Sequence, residues 1–224
     1  MKSFANLFSS LAPVHVLKCR TENIQYVSID LSKNSPFLKH YQLQNATDYE
    51  SAIESYLQEH NATIAWGGYL EQRNLYQRSP LFQATENPRN IHLGIDLWAP
   101  SETSVLAPLD GKIHSFANND NWGDYGPTII LQHELKGQVL YTLYGHLSLA
   151  SLENIKEGQS VMAGQNIASL GGSSVNGDYA PHLHFQVILD LQGKKGDYPG
   201  VCSATELDFY RNNCPDPNLL LKIL

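Results

Sequence analysis

The second half of the chain consists of short apolar runs separated by turn-forming residues. From residue 91 onward the runs are SVLAP, KIHSF, TIILQHE, QVLYTLYGH, QNIASLG and HLHFQVILDL, with Gly, Asn, Asp or Pro between most of them. Runs of this length at this spacing predict antiparallel strands. Asp110-Gly111 predicts a tight hairpin turn between two of them, because a type I′ turn needs positive φ at both central residues. The predicted fold class is therefore mainly β, built on an antiparallel β-sheet.

The first 65 residues have a different pattern. The runs VHVL and IQYVSIDL predict strands, whereas Asp48, followed by apolar residues at helical spacing, predicts a capped helix of about three turns. The next stretch is polar, and its Pro80 and Pro88 argue against a long continuous helix. We therefore expect an α+β region over residues 1–65 and a connecting arm over 66–90.

The rest of the chain divides into a β domain over residues 91–195 and a C-terminal extension over 196–224. Within the β domain, SVLAPLDGKI and QSVMAGQNIASLGG share an order of apolar strand, glycine-containing turn and second strand. This similarity indicates related half-motifs within one sheet. Biotinyl and lipoyl carrier domains have similar halves, but neither stretch has a hairpin-tip lysine in the MKM or DKA setting that carries their cofactor.

Composition restricts the kinds of partner. Hydrophobic residues make up 42% of the chain and charged residues 17%, which is typical of a soluble globular protein. Fifteen basic residues against 22 acidic ones give a net charge of −7, and no run of basic residues interrupts that balance. Phosphate backbones and anionic lipid surfaces attract the opposite charge pattern. We therefore expect neither nucleic acid nor a membrane as a partner.

The N-terminus and the cysteines bear on the compartment. One lysine precedes a short apolar stretch that polar residues interrupt, which is a poor match to a secretion signal. The three cysteines, Cys19, Cys202 and Cys214, are odd in number and form no CxxC pair. Reduced thiols without a signal predict a cytoplasmic protein.

Two histidines stand two residues apart in the run PHLHFQV. In a strand, alternate side chains share a face, so His182 and His184 would point into one site while Leu183 and Phe185 enter the other face. Such a pair also occurs on ordinary half-exposed strands. A metal site therefore needs further ligands.

The run IHLGIDLWAP can supply further ligands. His92 offers an imidazole nitrogen and Asp96 a carboxylate, and Gly94 would let the backbone bend so that both converge on one ion. Two imidazoles and one carboxylate leave a zinc ion one open position, as in catalytic sites. The same run would also suit a surface turn in which Asp96 caps neighbouring backbone.

Other catalytic motifs are missing. The run HELKG lacks the second histidine of HExxH, and GSSVNGD lacks the Lys-Ser of a phosphate-binding loop. No GxSxG nucleophile elbow is present either.

Five runs taken together resemble a known family. HLGIDLWAP, SVLAPLDGKI, YGHLS, EGQSVMAGQNIASLG and APHLHFQV, in this order and spacing, resemble the lysostaphin-type zinc metallopeptidases, peptidase family M23. The resemblance covers residues 91 to about 190. It implies a β fold of duplicated hybrid-motif type.

The resemblance also implies roles for individual residues. His92, Asp96 and His184 would hold Zn²⁺, and His146 and His182 would be catalytic, without an assignment of which is the base. The implied reaction is hydrolysis of a peptide or amide bond by a zinc-activated water. In the loop NNDNWGDYGP, Trp122 and Tyr125 are candidates for substrate contact, although a self-packed aromatic loop fits that run equally well.

Several readings of the biological role stay open. The substrate expected for a cytoplasmic peptidase is a peptide or a peptidoglycan-derived muropeptide. A peptidoglycan hydrolase exported by another route, and a non-catalytic regulatory or binding module, are the alternatives. Finally, WGGYLEQRNLY and CPDPNLLL resemble peptidase-like modules fused to kinase-like and class III aminotransferase domains, which implies a functional link to an aminotransferase-type enzyme.

Overall fold

A computed structural model describes residues 7–18, 24–41, 43–73 and 87–223 of the chain. The strands are β1 (Leu17–Lys18), β2 (Tyr26–Ser28), β3 (Ile64–Gly67), β4 (Ile91–His92), β5 (Ile95–Trp98), β6 (Ser104–Leu106), β7 (Gly111–Asn119), β8 (Gly126–Leu135), β9 (Gln138–Gly145), β10 (Ser160–Val161), β11 (Asn166–Ser169), β12 (His182–Ile188) and β13 (Val201–Cys202). The helices are α1 (Pro36–His40), α2 (Ala46–Glu59), α3 (Leu207–Asn213) and α4 (Asn218–Leu221), with 3-10 turns at Leu149–Leu152 and Ala204–Glu206.

An eight-stranded sheet forms the centre of the molecule, in the order β10-β7-β8-β9-β12-β5-β3-β2. Its long strands alternate between two cores: in β8, Ile129 and Leu131 pack into one core and Ile130 into the other. Each apolar run predicted from residue 91 onward contains a strand, whereas only Leu17 of the run VHVL lies in one. The long strands of the large sheet bury both sets of alternating side chains because both faces of that sheet are covered. The prediction of a mainly β, antiparallel fold is confirmed.

The N-terminal region adds two strands to this sheet. Strand β3 pairs antiparallel with β5, and β2 lies parallel to β3. Parallel neighbours need a crossover connection, and α2 provides it. The predicted helix is confirmed, although its N-cap is Asn45, whose side chain accepts the Asp48 N–H at 2.9 Å. The division at residues 65 and 66 stays a prediction; β3 runs across it.

The two similar half-motifs interlock across two sheets instead of sharing one. Strand β6 pairs with β11 in a three-stranded sheet, while β7 pairs with β10 in the large sheet. The hairpin predicted at Asp110-Gly111 is therefore wrong, because the chain passes there from one sheet to the other. Asp110 accepts the Ala163 N–H at 2.8 Å, and a Cβ on Gly111 would collide with the carbonyl oxygen of Gln132.

Part of the predicted arm lies outside the described residues. Pro80 falls in that part, whereas Pro88 is described, and Gln72 forms an isolated bridge with Ile91. Cys19 likewise falls outside. Among the helices of the described ranges, none combines the length and the apolar character that crossing a membrane requires.

Candidate active site

Three buried side chains meet where the centre of the large sheet joins β4. His92 ends β4, Asp96 lies in β5, and His184 lies in β12 directly opposite Asp96 in the antiparallel register. His92 Nε2 is 2.8 Å from His184 Nδ1, and Asp96 Oδ1 is 3.3 Å and 3.2 Å from those two nitrogens. The structure therefore brings together the three residues that the resemblance implied as metal ligands.

Gly94 allows this convergence in two ways: the strand bends there, as the sequence indicated, and the missing side chain leaves room for His184. The strand is interrupted between His92 and Ile95, as the predicted bend requires. In addition, a Cβ on Gly94 would lie 2.7 Å from His184 Cε1 and from the Phe185 carbonyl oxygen. A side chain at this position would therefore push β12 and its histidine out of the cluster.

The outer nitrogens of both imidazoles face oxygen acceptors. His92 Nδ1 is 3.0 Å from the Gly68 carbonyl oxygen, and His184 Nε2 is 3.0 Å from Gln186 Oε1. The Gln186 amide is oriented by its Nε2, which donates to the Pro199 carbonyl oxygen at 3.2 Å. Carbonyl and amide oxygens only accept, so these outer nitrogens carry the protons. In the neutral rings, His92 Nε2 and His184 Nδ1 consequently direct lone pairs at each other.

The donor set fits a divalent metal ion. Two nitrogen lone pairs and a carboxylate oxygen face one space, which is favourable only if a cation lies between them. Burial lowers the pKa of His92 to about 4. Burial opposes ionisation of Asp96, but His92 and Arg73 outweigh it and hold the pKa of Asp96 well below its usual value. Both groups are therefore in the deprotonated form that metal binding requires.

His146 and His182 lie beside the cluster, with their ring centroids 4.1 Å apart. His182 Nε2 is 4.0 Å from Asp96 Oδ1. Each ring donates its Nδ1–H to a backbone carbonyl: His146 to Asn176 at 2.7 Å and His182 to Ala180 at 2.8 Å. Burial lowers the pKa of both histidines, so each is neutral at pH 7 and has an Nε2 lone pair that can accept a proton.

The backbone of His146 adopts an unusual conformation. Its φ is +62°, in the left-handed region that residues with a Cβ seldom occupy. Two backbone hydrogen bonds hold it there: the His146 N–H donates to Tyr125 O at 2.8 Å, and the Gly171 N–H donates to His146 O at 2.9 Å. Strain of this kind is concentrated at functional sites.

The two aromatic residues predicted to contact substrate lie in different places. Tyr125 lines the cavity of about 280 Å³ that contains the five site residues, and its hydroxyl is 3.4 Å from His184 Nε2. Trp122 is 47% exposed and lines a neighbouring depression. Tyr125 thus lies beside the histidine cluster, and the substrate-binding roles of both residues stay predictions.

Three residues of the site were not predicted from the sequence. Gly68 and Gln186 accept the outer N–H groups of His92 and His184, and Arg73 Nη1 lies 2.5 Å from Asp96 Oδ2. Gln186 carried a visible signal, since it directly follows the HLHF run. Gly68 and Arg73 lie in a polar stretch with no spacing that relates them to the histidines.

We expect Gly68→Ala to lower the free energy of unfolding by about 2–4 kcal/mol. Gly68 has φ of +104°, and a Cβ there would collide with the Arg73 guanidinium and lie 2.8 Å from His92 Nδ1. Gly158→Ala is the matched control, because its φ is +83° with nothing within 4 Å. Chemical denaturation should show a clearly larger loss for Gly68→Ala; equal losses would mean that crowding by Arg73 and His92 is unimportant.

Comparison with known proteins agrees with this geometry. Residues 90–197 match the model of Peptidase family M23. An uncharacterized metalloprotease of Haemophilus influenzae is 34% identical over 99 residues, covering 44% of this chain and 19% of that protein. The peptidoglycan DD-endopeptidase ShyC of Vibrio cholerae is 29% identical over 143 residues, covering 55% of this chain and 30% of that protein.

A third curated relative is the uncharacterized lipoprotein YgeR of Escherichia coli, 35% identical over 94 residues, with 42% of this chain and 33% of that protein covered. The chain thus spans 19–33% of the length of these relatives. Among solved structures, the catalytic domain of lysostaphin from Staphylococcus simulans is 30% identical, covering 55% of this chain and 80% of that one, with a TM-score of 0.39. The matched segment contains all five histidine and aspartate residues of the site, and the chain belongs to peptidase family M23.

Proposed function

We propose that this protein is a zinc-dependent peptidase that hydrolyses peptide or amide bonds in peptidoglycan-derived or other short peptides. The observation that supports it most strongly is the convergence of His92 Nε2, His184 Nδ1 and Asp96 Oδ1, with both imidazole lone pairs directed inward. Three protein ligands match the number found in catalytic zinc sites, which keep a fourth position for water or substrate.

His92, Asp96 and His184 would hold the zinc ion. When bound, zinc would act as a Lewis acid that polarises the substrate carbonyl, and it would lower the pKa of a water bound to it to about 7. The buried imidazoles are well suited as ligands because Gly68 and Gln186 already fix their tautomers and ring orientations.

His146 and His182 would move the proton. A neutral imidazole whose Nδ1–H donates to a backbone carbonyl can accept a proton at Nε2 from the attacking water. The imidazolium that results is stabilised by that carbonyl and can return the proton to the leaving amine. The second ring, within 4.1 Å of the first, would orient the water or the developing oxyanion.

The substrate and compartment are part of the proposal. The name of the Vibrio relative supports a peptidoglycan-derived peptide, and the cavity of about 280 Å³ would accommodate a short segment of one. Free thiols at Cys202 and Cys214 support action in the cytoplasm. An exported peptidoglycan hydrolase is the second candidate, favoured by relatives named as a lipoprotein and a DD-endopeptidase. The link to an aminotransferase-type enzyme stays a prediction.

The test is digestion of three substrate sets, with products identified by mass spectrometry: soluble muropeptides, a short-peptide library and intact sacculi. We expect zinc-loaded protein to cleave soluble peptides, chelation to stop the cleavage, and added zinc to restore it. If the protein releases fragments from sacculi but cleaves neither soluble set, the exported hydrolase is favoured. If the zinc-loaded protein cleaves none of the three sets, the proposed function is contradicted.

A further inference from the structure

The segment 66–73 lies outside the family match, yet it contacts two of the three proposed ligands. The Gly68 carbonyl accepts the His92 Nδ1–H, and Arg73 binds the Asp96 carboxylate. The same segment runs beside the backbone of His92. Leu70 N–H donates to His92 O at 2.8 Å, and His92 N–H donates to Glu71 O at 3.0 Å.

Arg73 binds one carboxylate oxygen of Asp96, while the other oxygen faces the two histidines. Its Nη1 lies 2.5 Å from Oδ2, while Oδ1 faces the inward nitrogens of His92 and His184 at 3.2–3.3 Å. The Arg73 side chain is only 3% exposed, so solvent hardly competes for this contact. The carboxylate therefore presents a single oxygen to the cluster and keeps the other in a charge-assisted hydrogen bond.

A guanidinium next to a metal site would repel the metal unless its charge were balanced. Glu71 supplies that balance, with Oε2 2.5 Å from Arg73 Nε. Its other oxygen, Oε1, accepts the Leu31 N–H at 2.9 Å, which anchors the pair to the N-terminal region. Because Glu71 and Arg73 together are neutral, Arg73 can orient Asp96 with little electrostatic cost to cation binding.

We propose that Arg73, balanced by Glu71, is a positioning residue of the metal centre, and that the segment 66–73, outside the family match, thereby forms part of this centre. The inference rests on the proposed function, since it concerns the same metal ion. Partners of ligating groups typically contribute a factor of about 10–100 to metal affinity. Arg73 would contribute this factor by holding Asp96 in its one-oxygen orientation.

The test compares variants of the 224-residue chain for Zn²⁺ affinity, by competition with a chelator, and for the visible absorption of the Co²⁺ form. Glu71→Gln/Arg73→Met removes the pair without changing net charge. We expect it to bind Zn²⁺ about 10–100-fold more weakly and to alter the Co²⁺ spectrum. Arg73→Lys keeps the positive charge and a hydrogen-bond donor, so its Zn²⁺ affinity and Co²⁺ spectrum should lie between those of the double variant and wild type. The matched control is Glu157→Gln/Lys195→Met, at an ion pair whose side chains are 51% and 62% exposed, and it should behave as wild type.

The outcomes separate this inference from the proposed function. Wild-type affinity and spectrum in a folded Glu71→Gln/Arg73→Met protein would overturn the inference alone. If that variant does not fold, Glu71→Gln decides: the unbalanced guanidinium should weaken Zn²⁺ binding about ten-fold, and unchanged affinity would overturn the inference. A wild-type chain that binds no metal would overturn the proposed function and the inference with it.

Discussion

His184→Ala is expected to abolish stoichiometric metal binding, with affinity for Zn²⁺ falling on the order of 10³-fold. The substitution removes the Nδ1 ligand that faces His92 and Asp96, and it leaves a two-ligand site that water must complete. Metal content is measured by elemental analysis after gel filtration, with circular dichroism to verify folding. His114→Ala is the matched control, because His114 also lies on a strand of the large sheet but outside the cluster.

The contrary result for this prediction is one metal ion per chain retained in folded His184→Ala protein. Such a result would mean that the metal lies elsewhere, or that His92 and Asp96 suffice to hold it. Loss of metal in the His114→Ala control would instead indicate a general effect on the fold.

His146→Ala and His182→Ala are each expected to keep the metal and to lose about 10²–10⁴ in the rate of hydrolysis. The inward nitrogens of the proposed ligands come from other residues, so binding should persist, whereas the proton acceptor at Nε2 is lost. The rate is measured with a peptide found in the digestion experiment, at zinc saturation, and metal content is measured on the same samples.

Unchanged turnover in both variants would remove the two histidines from the mechanism. Loss of metal together with activity in His182→Ala would give that residue a ligand role instead. Because its Nε2 is 4.0 Å from Asp96 Oδ1, a ligand role would require His182 to move closer to the ion when the metal binds.

The sequence predicts well what depends on local alternation. In β12, the period of two places Leu183 and Phe185 in the core and His182 and His184 in the site, as the pattern indicated. The hairpin prediction at Asp110-Gly111 was wrong because it used only the local sequence, which suits a hairpin. Which strands pair is decided by distant segments of the chain, and these place the two flanking strands in different sheets. Nothing in the sequence of the turn itself indicates that β6 pairs with β11.

The candidate site was predictable only where a motif or a resemblance covers it. His146 has no local feature that distinguishes it from an ordinary strand-end histidine, and its φ of +62° follows from contacts with Tyr125 and Gly171. Arg73 could not be predicted, because a polar stretch shows no sign that one of its charges is buried against the carboxylate of Asp96. Its contact with Asp96 depends on the pairing of β3 with β5, which is a non-local event.

The most direct test of the metal-dependent mechanism is a zinc titration of the metal-free chain with the rate of peptide hydrolysis as the readout. We expect no hydrolysis without zinc, a linear rise in rate as zinc is added, and a sharp end to the rise at one equivalent per chain. Full hydrolysis by the metal-free chain, or a rate that does not follow the added zinc, would mean that hydrolysis does not depend on the metal.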